Sequence, residues 1–155
     1  AERLGIPRSE SKELIDGYFS TYPRIKEYME ESIKVAKEKG YVETIFKRKR
    51  FLPDINSHNA VVRGYAERNA INAPIQGSAA DIIKVAMARI YQRFQTEGIQ
   101  AKMILQVHDE LNFSVPVNEK ERVEEIVIEE MEHAYRMHVP LKADCGWGKN
   151  WLEAH

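Results

Sequence analysis

Two alternating runs of apolar residues constrain the fold of this chain more than any other feature. Residues 103–107 and 111–115 each place an apolar side chain at every second position. A period of two is typical of a strand with one buried face. Only His108, Asp109 and Glu110 separate the two runs, so the pattern predicts an antiparallel hairpin with this polar tripeptide at its tip.

Helical periodicity dominates the chain before residue 41. Residues 9–40 predict two helices, with Ser9 as the N-cap of the first. Pro23 suits the start of the second helix, and Gly40 is the expected stop after it. Residues 41–53 are richer in β-branched and aromatic side chains, so they predict a short hairpin or an extended loop.

A second helical region contains a proline. Residues 58–73 predict a helix that Pro74 must break or kink, because proline lacks the N–H that a helix interior requires. A further helix is then expected to restart after Gly77. Ser78 and Asp81 resemble a capping box at its start.

The last part of the chain predicts one more helix and one more strand. Asn118 with Glu121 is the expected cap of the helix, and Pro140 is its expected end. Residues 141–145 predict a third strand. The fold class is therefore expected to be α+β, with mainly helices and a small antiparallel sheet.

The composition excludes several classes of protein. With 43% hydrophobic residues among 155, the chain is globular rather than disordered. Its 23 Lys and Arg residues against 24 Asp and Glu residues give a net charge of −1, which offers no hint of a polyanion partner. The single cysteine, Cys145, excludes an internal disulfide and is expected to be buried.

Targeting signals are not visible in the sequence. No apolar run approaches the ~20 residues of a membrane span, and no signal peptide is recognisable. We therefore expect a cytoplasmic protein without a membrane partner. A first residue of Ala1 rather than Met favours a segment of a longer chain.

The tripeptide at the hairpin tip brings two carboxylates together. A buried carboxylate is costly without a partner, and a divalent cation would remove that cost. Mg²⁺ prefers carboxylate oxygens and takes one or two of them from protein. Asp109 is therefore a candidate metal ligand, with Glu110 beside it. A solvated hairpin turn, in which Asp is a favoured residue, explains the same pattern, and both interpretations remain open.

A row of polar residues, namely Arg68, Asn72 and Gln76, follows a spacing of four. This spacing puts Arg68 and Asn72 on one helix face, whereas the place of Gln76 depends on the expected kink at Pro74. All three side chains carry donors that suit the degenerate acceptors of the DNA minor groove, so they would sense duplex shape rather than sequence. An ordinary solvated helix face is the alternative.

A run of four basic residues is the third feature, formed by Lys47, Arg48, Lys49 and Arg50. Contacts from such a run to DNA phosphates would be independent of sequence and sensitive to salt. A solvated loop accounts for the run equally well.

Two longer stretches carry a resemblance to a known family. Residues 68–81 read RNAINAPIQGSAAD, and residues 106–110 read QVHDE. In their residues, order and separation they resemble the C-terminal part of the family A DNA polymerases of bacteria. The resemblance extends over the whole chain, from Leu4 to His155.

The resemblance implies an activity and a set of roles. The parent protein would be a DNA-directed DNA polymerase that extends a primer with deoxynucleoside triphosphates. Asp109 would be one of two aspartates that hold a pair of Mg²⁺ ions, and Glu110 an auxiliary catalytic carboxylate, both in motif C on a palm hairpin. The expected contacts to the minor groove of the primer–template come from Arg68, Asn72, Gln76 and His108.

The resemblance also implies which parts lie elsewhere. Residues 1–56 would belong to the fingers and residues 57–155 to the palm. The second aspartate, in motif A, and the fingers helix that holds the triphosphate lie upstream in the family, so the isolated chain is expected to be inactive. The parent would work at the nucleoid. Family members often have Gly where Lys47 stands, which leaves the turn within residues 44–51 open.

Two other functions fit the same residues. The chain or its parent is compatible with a non-catalytic module that grips duplex DNA through Arg68, Asn72 and the basic run. A metal-dependent nuclease built on Asp109 and Glu110 is the second alternative, and it needs further carboxylates that converge in space.

Overall fold

The computed structural model describes residue 5 and residues 7–154. These residues contain four α-helices and four short strands, with two 3-10 helices between them. The α-helices are α1 Arg8–Thr21, α2 Pro23–Lys39, α3 Ala60–Glu97 and α4 Lys120–Glu132. The strands are β1 Tyr41–Glu43, β2 Lys49–Phe51, β3 Lys102–Val107 and β4 Glu110–Ser114. The 3-10 helices are Pro53–Asn56 and Val117–Glu119. The expected α+β class, mainly helical with small antiparallel sheets, is confirmed.

The chain divides into two compact units, Ala1–Gln76 and Gly77–His155. Each unit has its own apolar core, and α3 contributes residues to both. The core of the first unit is formed by Ala36, Val42, Leu52, Ile55, Ala66 and Ala70. The core of the second unit is formed by Ala86, Ile90, Phe94, Ala101, Val123, Ile126 and Ala134.

The two predicted N-terminal helices are present, but the cap of the first is not the predicted one. Pro7 precedes α1, and its carbonyl accepts a hydrogen bond from the Ser11 N–H at 3.0 Å. Ser9 is therefore already inside the helix. The end of α2 is as expected, because Gly40 adopts a left-handed φ of 77° and its N–H donates to the Ala36 carbonyl at 2.8 Å.

Of the two forms expected for residues 41–53, a short hairpin or an extended loop, the structure has the hairpin. Strands β1 and β2 pair antiparallel, with Val42 opposite Arg50 and Glu43 opposite Lys49. Thr44 begins the connecting loop. Its buried hydroxyl oxygen accepts a hydrogen bond from the Arg48 N–H at 3.2 Å, and its N–H donates to the Arg48 carbonyl at 3.0 Å.

Helix α3 corrects the expectation of two helices separated at Pro74. It is continuous over Ala60–Glu97, with Pro74 in its interior. The missing N–H of proline removes one backbone hydrogen bond, but buried residues on both sides, including Ala70 and Ile83, hold the helix by packing. Because Ser78 and Asp81 lie in the middle of this helix, they do not form the predicted capping box.

Strands β3 and β4 form the predicted antiparallel hairpin. Met103 pairs with Phe113 and Leu105 pairs with Asn112, so Ile104 is an extra residue in β3. This bulge interrupts the strict alternation that the sequence suggested, and Ile104 is left 64% exposed.

The C-terminal part departs further from expectation. Asn118 lies within the 3-10 helix, and Glu119 rather than Asn118 precedes α4. The helix ends at Glu132, well before Pro140. Residues 141–145 are not a strand, and the Ala143 N–H donates to the Glu132 carboxylate at 3.2 Å instead of pairing with a neighbouring strand.

Cys145 is exposed rather than buried, because the segment that carries it does not pack as a strand. Partial desolvation still raises the pKa of its thiol above the ordinary value. Among the helices within residue 5 and residues 7–154, none is both long and apolar enough to cross a membrane.

Candidate nucleic-acid and metal-binding residues

The tripeptide His108–Glu110, which contains the two predicted catalytic carboxylates, lies at the tight turn of the β3–β4 hairpin. Val107 pairs with Glu110, so His108 and Asp109 form a two-residue loop. Such a loop needs a left-handed residue to match the strand twist, and His108 supplies it with a φ of 52°. The Gln106 side-chain amide braces the loop by donating to the His108 carbonyl at 2.7 Å.

The two carboxylates of the turn have different surroundings. Asp109 is exposed and forms no hydrogen bond or ion pair with the residues that the structure describes, whereas Glu110 is half-buried. Among residue 5 and residues 7–154, no three His, Cys, Asp or Glu side chains lie close enough together to form a complete cation site. A solvated carboxylate such as Asp109 suits a hard cation, which takes only one or two carboxylates from protein. These residues therefore fit part of a magnesium site.

The polar row lies along one side of α3. Because no break occurs at Pro74, Gln76 belongs to the same helix as Arg68 and Asn72. A step of four residues turns a helix by about 40° beyond a full turn, so the three side chains span an arc of roughly 80°. All three are exposed. The row therefore forms a polar surface on the unit Ala1–Gln76.

Arg68 has an aromatic neighbour that the sequence patterns above did not single out. Its guanidinium carbon lies over the Tyr65 ring, 4.5 Å from the ring centroid. The signal was present in the sequence, because residues three apart on a helix are neighbours. A helical Tyr and Arg at this spacing indicate a cation–π contact.

Tyr28 is a second residue that sequence reasoning missed. Its hydroxyl donates to the Ile71 carbonyl at 3.1 Å, one turn before Pro74. No local signal predicts this contact, because 43 residues separate the two partners.

The basic run does not present a single face. Lys47 and Arg48 belong to the loop between β1 and β2, whereas Lys49 and Arg50 lie in β2 and point to opposite sides. Lys49 makes a cation–π contact with Tyr41, and its Nζ atom lies 4.3 Å from the centroid of the Tyr41 ring. All four basic side chains are exposed.

The turn at Lys47 contains a left-handed residue. Lys47 has a left-handed φ of 64°, and its N–H donates to the Thr44 carbonyl at 2.9 Å. Glycine adopts this conformation without a steric cost. A glycine would therefore fit this turn with less strain than Lys47 does.

The predicted site residues fall into separate groups. The polar row and the basic run lie in the unit Ala1–Gln76, and the carboxylate turn lies in the unit Gly77–His155. The structure thus brings Arg68, Asn72 and Gln76 together, and it brings His108, Asp109 and Glu110 together.

The sequence matches known proteins over nearly its whole length. Residues 1–153 match the family described as DNA polymerase family A. The chain is 52% identical over 154 residues to DNA polymerase I of Streptococcus pneumoniae serotype 4, and 49% identical over 153 residues to that of Caldicellulosiruptor bescii. These matches cover 99% of the chain but 18% of either relative.

A solved structure shows the same fold. The polymerase domain of Pol1 from M. smegmatis, in complex with DNA primer-template and dNTP, superposes with a TM-score of 0.97 at 42% sequence identity. The superposition covers 99% of this chain and 27% of that one. The chain spans less than a third of each of these proteins. On its sequence and its fold, it belongs to DNA polymerase family A.

Proposed function

We propose that this chain is the C-terminal part of the polymerase domain of a DNA-directed DNA polymerase. The observation that carries the proposal is the family match across residues 1–153. In this proposal the substrates are a primer–template and deoxynucleoside triphosphates. Residues 1–56 belong to the fingers and residues 57–155 to the palm. The DNA partner would place the parent protein at the nucleoid, in the cytoplasm.

Asp109 is proposed to hold Mg²⁺, with Glu110 as an auxiliary carboxylate. The exposed position of Asp109 on a braced turn supports this role, because a metal ligand must remain accessible and oriented. Two Mg²⁺ ions, when bound, would stabilise the attacking and leaving oxygens of nucleotidyl transfer. The second aspartate and the triphosphate-binding helix would come from upstream parts of the parent.

The polar row is proposed to lie against the minor groove near the primer end. Arg68, Asn72 and Gln76 are exposed on one side of α3, and each can donate to the acceptors that all base pairs share there. His108 is a fourth candidate, and its position beside Asp109 supports a contact close to the chemistry. The exposed basic run, Lys47 to Arg50, is proposed to contact phosphates.

Replacement of Asp109 by Ala in the complete polymerase tests the metal role. We expect turnover to fall by about 10²–10⁴-fold, because a missing ligand removes several kcal/mol of transition-state stabilisation. The affinity for primer–template should change little. Asp16→Ala, at an exposed carboxylate of α1, is the matched control. Near-normal turnover of the Asp109 variant would remove this residue from the role.

The purified 155-residue chain provides a second test. We expect no template-directed primer extension, because two-metal chemistry needs ligands from both sides of the ion pair. Extension by a preparation free of host polymerase would contradict this expectation.

A duplex-DNA-binding module is the second candidate function. The observation that favours it is that the polar row and the basic run lie in the same unit, Ala1–Gln76. That unit does not contain Asp109. Titration of duplex DNA with and without Mg²⁺ separates the two candidates. Binding that is independent of Mg²⁺, with no polymerase activity after the upstream segments are restored, would favour the module.

A further inference from the structure

The contact between Tyr65 and Arg68 is not explained by the packing of α3. Tyr65 is 61% exposed, so its ring contributes little to the core. A distance of 4.5 Å between the guanidinium carbon and the ring centroid lies within the ~6 Å over which a ring face attracts a cation. We propose that Tyr65 is a positioning residue that holds Arg68 ready to meet the primer–template minor groove. The inference rests on the proposed function of Arg68.

Without the ring, the Arg68 side chain would have little to hold it. Arg68 is exposed and forms no hydrogen bond or ion pair with the residues that the structure describes. A free Arg side chain loses rotamer entropy when it is fixed. Tyr restricts it at low cost, because the Tyr side chain has only two rotatable bonds of its own.

The local backbone directs the guanidinium toward the ring. Long helical side chains lean toward the preceding turn, which here contains Gly64 and Tyr65. A Cβ on Gly64 would lie 3.7 Å from the Arg68 Nη1 atom, so the guanidinium passes close to the bare backbone at this position. Gly64 and Tyr65 thus form a surface on which Arg68 rests.

The contact leaves Arg68 able to bind DNA. In a cation–π contact the guanidinium faces an aromatic ring and forms no hydrogen bond to an oxygen or nitrogen acceptor. The guanidinium carries five N–H donors. Those donors remain available for adenine N3 and thymine O2 atoms in the minor groove. The Tyr65 ring therefore orients Arg68 without competing for its hydrogen bonds.

The expected effect of removing the ring follows from the strength of exposed cation–π contacts. Such contacts correspond to about two- to fivefold in an equilibrium constant. We expect Tyr65→Leu to lower, by about this factor, the ratio of extension rates from matched and mismatched primer ends. Tyr65→Phe keeps the ring face and should retain most of this ratio.

The experiment is a double-mutant cycle in the complete polymerase that carries this chain. The variants are Tyr65→Leu, Arg68→Ala and the double variant, and Tyr91→Leu is the matched control. Tyr91 is 65% exposed on the same helix and lies far along it from Arg68. The readouts are the ratio for matched over mismatched primer ends, the dissociation constant of the primer–template, and the melting temperature.

A positioning role predicts that the Tyr65→Leu effect disappears when Arg68 is already Ala. A purely structural role would instead lower the melting temperature and act equally in both backgrounds. If Arg68→Ala lowers the ratio and Tyr65→Leu does not, the inference is wrong and the proposed function stands. If Arg68→Ala leaves the ratio unchanged, the proposed contact of Arg68 fails and the inference fails with it.

Discussion

Two residues other than glycine adopt left-handed conformations among those that the structure describes, Lys47 with a φ of 64° and His108 with a φ of 52°. Each sits in the turn of a hairpin that carries candidate site residues. A left-handed non-glycine residue costs roughly 1–2 kcal/mol, so the rest of the hairpin must hold it in place. Gln106 does this for His108 through its side-chain hydrogen bond. Backbone strain therefore coincides with candidate function.

Replacement of Lys47 by Gly should stabilise the chain. Glycine removes the steric cost of the left-handed conformation, and its extra entropy in the unfolded state offsets part of the gain. We expect the free energy of unfolding to rise by about 1 kcal/mol. Urea unfolding of the purified chain measures this change.

The reverse substitution elsewhere provides the control. Gly40 has a φ of 77° at the end of α2, so Gly40→Ala should lower stability by roughly the same amount. If Lys47→Gly is neutral while Gly40→Ala is costly, the turn at Lys47 is not strained.

At the scale of elements, the continuity of α3 depends on contacts outside the helix. Pro74 removes the N–H that would have bonded the Ala70 carbonyl, and a proline ring crowds the carbonyls of the preceding turn. Tyr28, on α2, donates to the Ile71 carbonyl in that turn at 3.1 Å. A side chain from a neighbouring helix thus anchors the turn in which the backbone ladder is weakened.

Tyr28→Phe should therefore destabilise the chain. Removal of one hydrogen bond to a backbone carbonyl is expected to lower the free energy of unfolding by about 1 kcal/mol. Tyr91→Phe removes a hydroxyl from an exposed tyrosine of α3 and should have no measurable effect. Equal melting temperatures for both variants would contradict the role given to Tyr28.

An ion-pair network joins the end of α3 to α4. Arg93 contacts Glu97, Glu129 and Glu130, and Arg122 contacts Glu97 from the other helix at 2.7 Å. The hydrogen bond from Arg122 is the main cause that lowers the pKa of Glu97 below its ordinary value, with Arg93 contributing. Arg93 likewise lowers the pKa of Glu129. The folded state thus favours the ionised carboxylates.

This network predicts how stability depends on pH. A carboxylate with a lowered pKa in the folded state contributes stability above its unfolded pKa, near 4.5 for Glu97. That contribution disappears as the pH falls through the lower folded-state pKa. We expect Glu97→Gln to reduce stability more at pH 7 than at pH 3.

Urea unfolding at the two pH values measures the difference. Glu38→Gln, at an exposed carboxylate of α2 outside the network, should leave the pH dependence unchanged. An equal destabilisation by Glu97→Gln at pH 3 and pH 7 would contradict the ionic origin of the effect.

At the scale of the whole molecule, the charges are segregated along the chain. Residues 1–76 carry 14 Lys and Arg against 11 Asp and Glu, and residues 77–155 carry 9 against 13. The unit that contains the polar row and the basic run is therefore basic. The unit that contains the carboxylate turn is acidic. A net charge of −1 conceals this division.

The segregation predicts a specific salt dependence of DNA binding by the complete polymerase. The residues from Lys47 to Arg50 are proposed to contact phosphates. Replacement of one of them by Gln should therefore reduce the slope of log affinity against log salt by about 1. Titrations of the primer–template at several salt concentrations measure this slope. Lys142→Gln, in the acidic unit, is the control and should leave it unchanged. An unchanged slope in the variants of the basic run as well would mean that the run is only a solvated loop.

Much of the secondary structure was predictable, because it depends on local patterns. The alternation on either side of His108–Glu110 predicted the hairpin, and Gly40 correctly marked the end of α2. The errors have a common origin. The new helix start after Gly77 and the strand over residues 141–145 were predicted from local preference, and tertiary packing or a side-chain hydrogen bond overrode it.

The sequence by itself indicated the family, predicted the hairpin around His108 and supplied the candidate site residues, because motif residues and periodicity are local properties. For residues 41–53 it left a hairpin and an extended loop open. Only the tertiary structure showed that α3 runs unbroken past Pro74, which puts Gln76 and Arg68 on one helix. It alone showed the hydrogen bond from Tyr28 to α3, because that contact joins distant parts of the chain. Packing on both sides of a proline decides whether a helix survives it, and packing is not a property of any short segment.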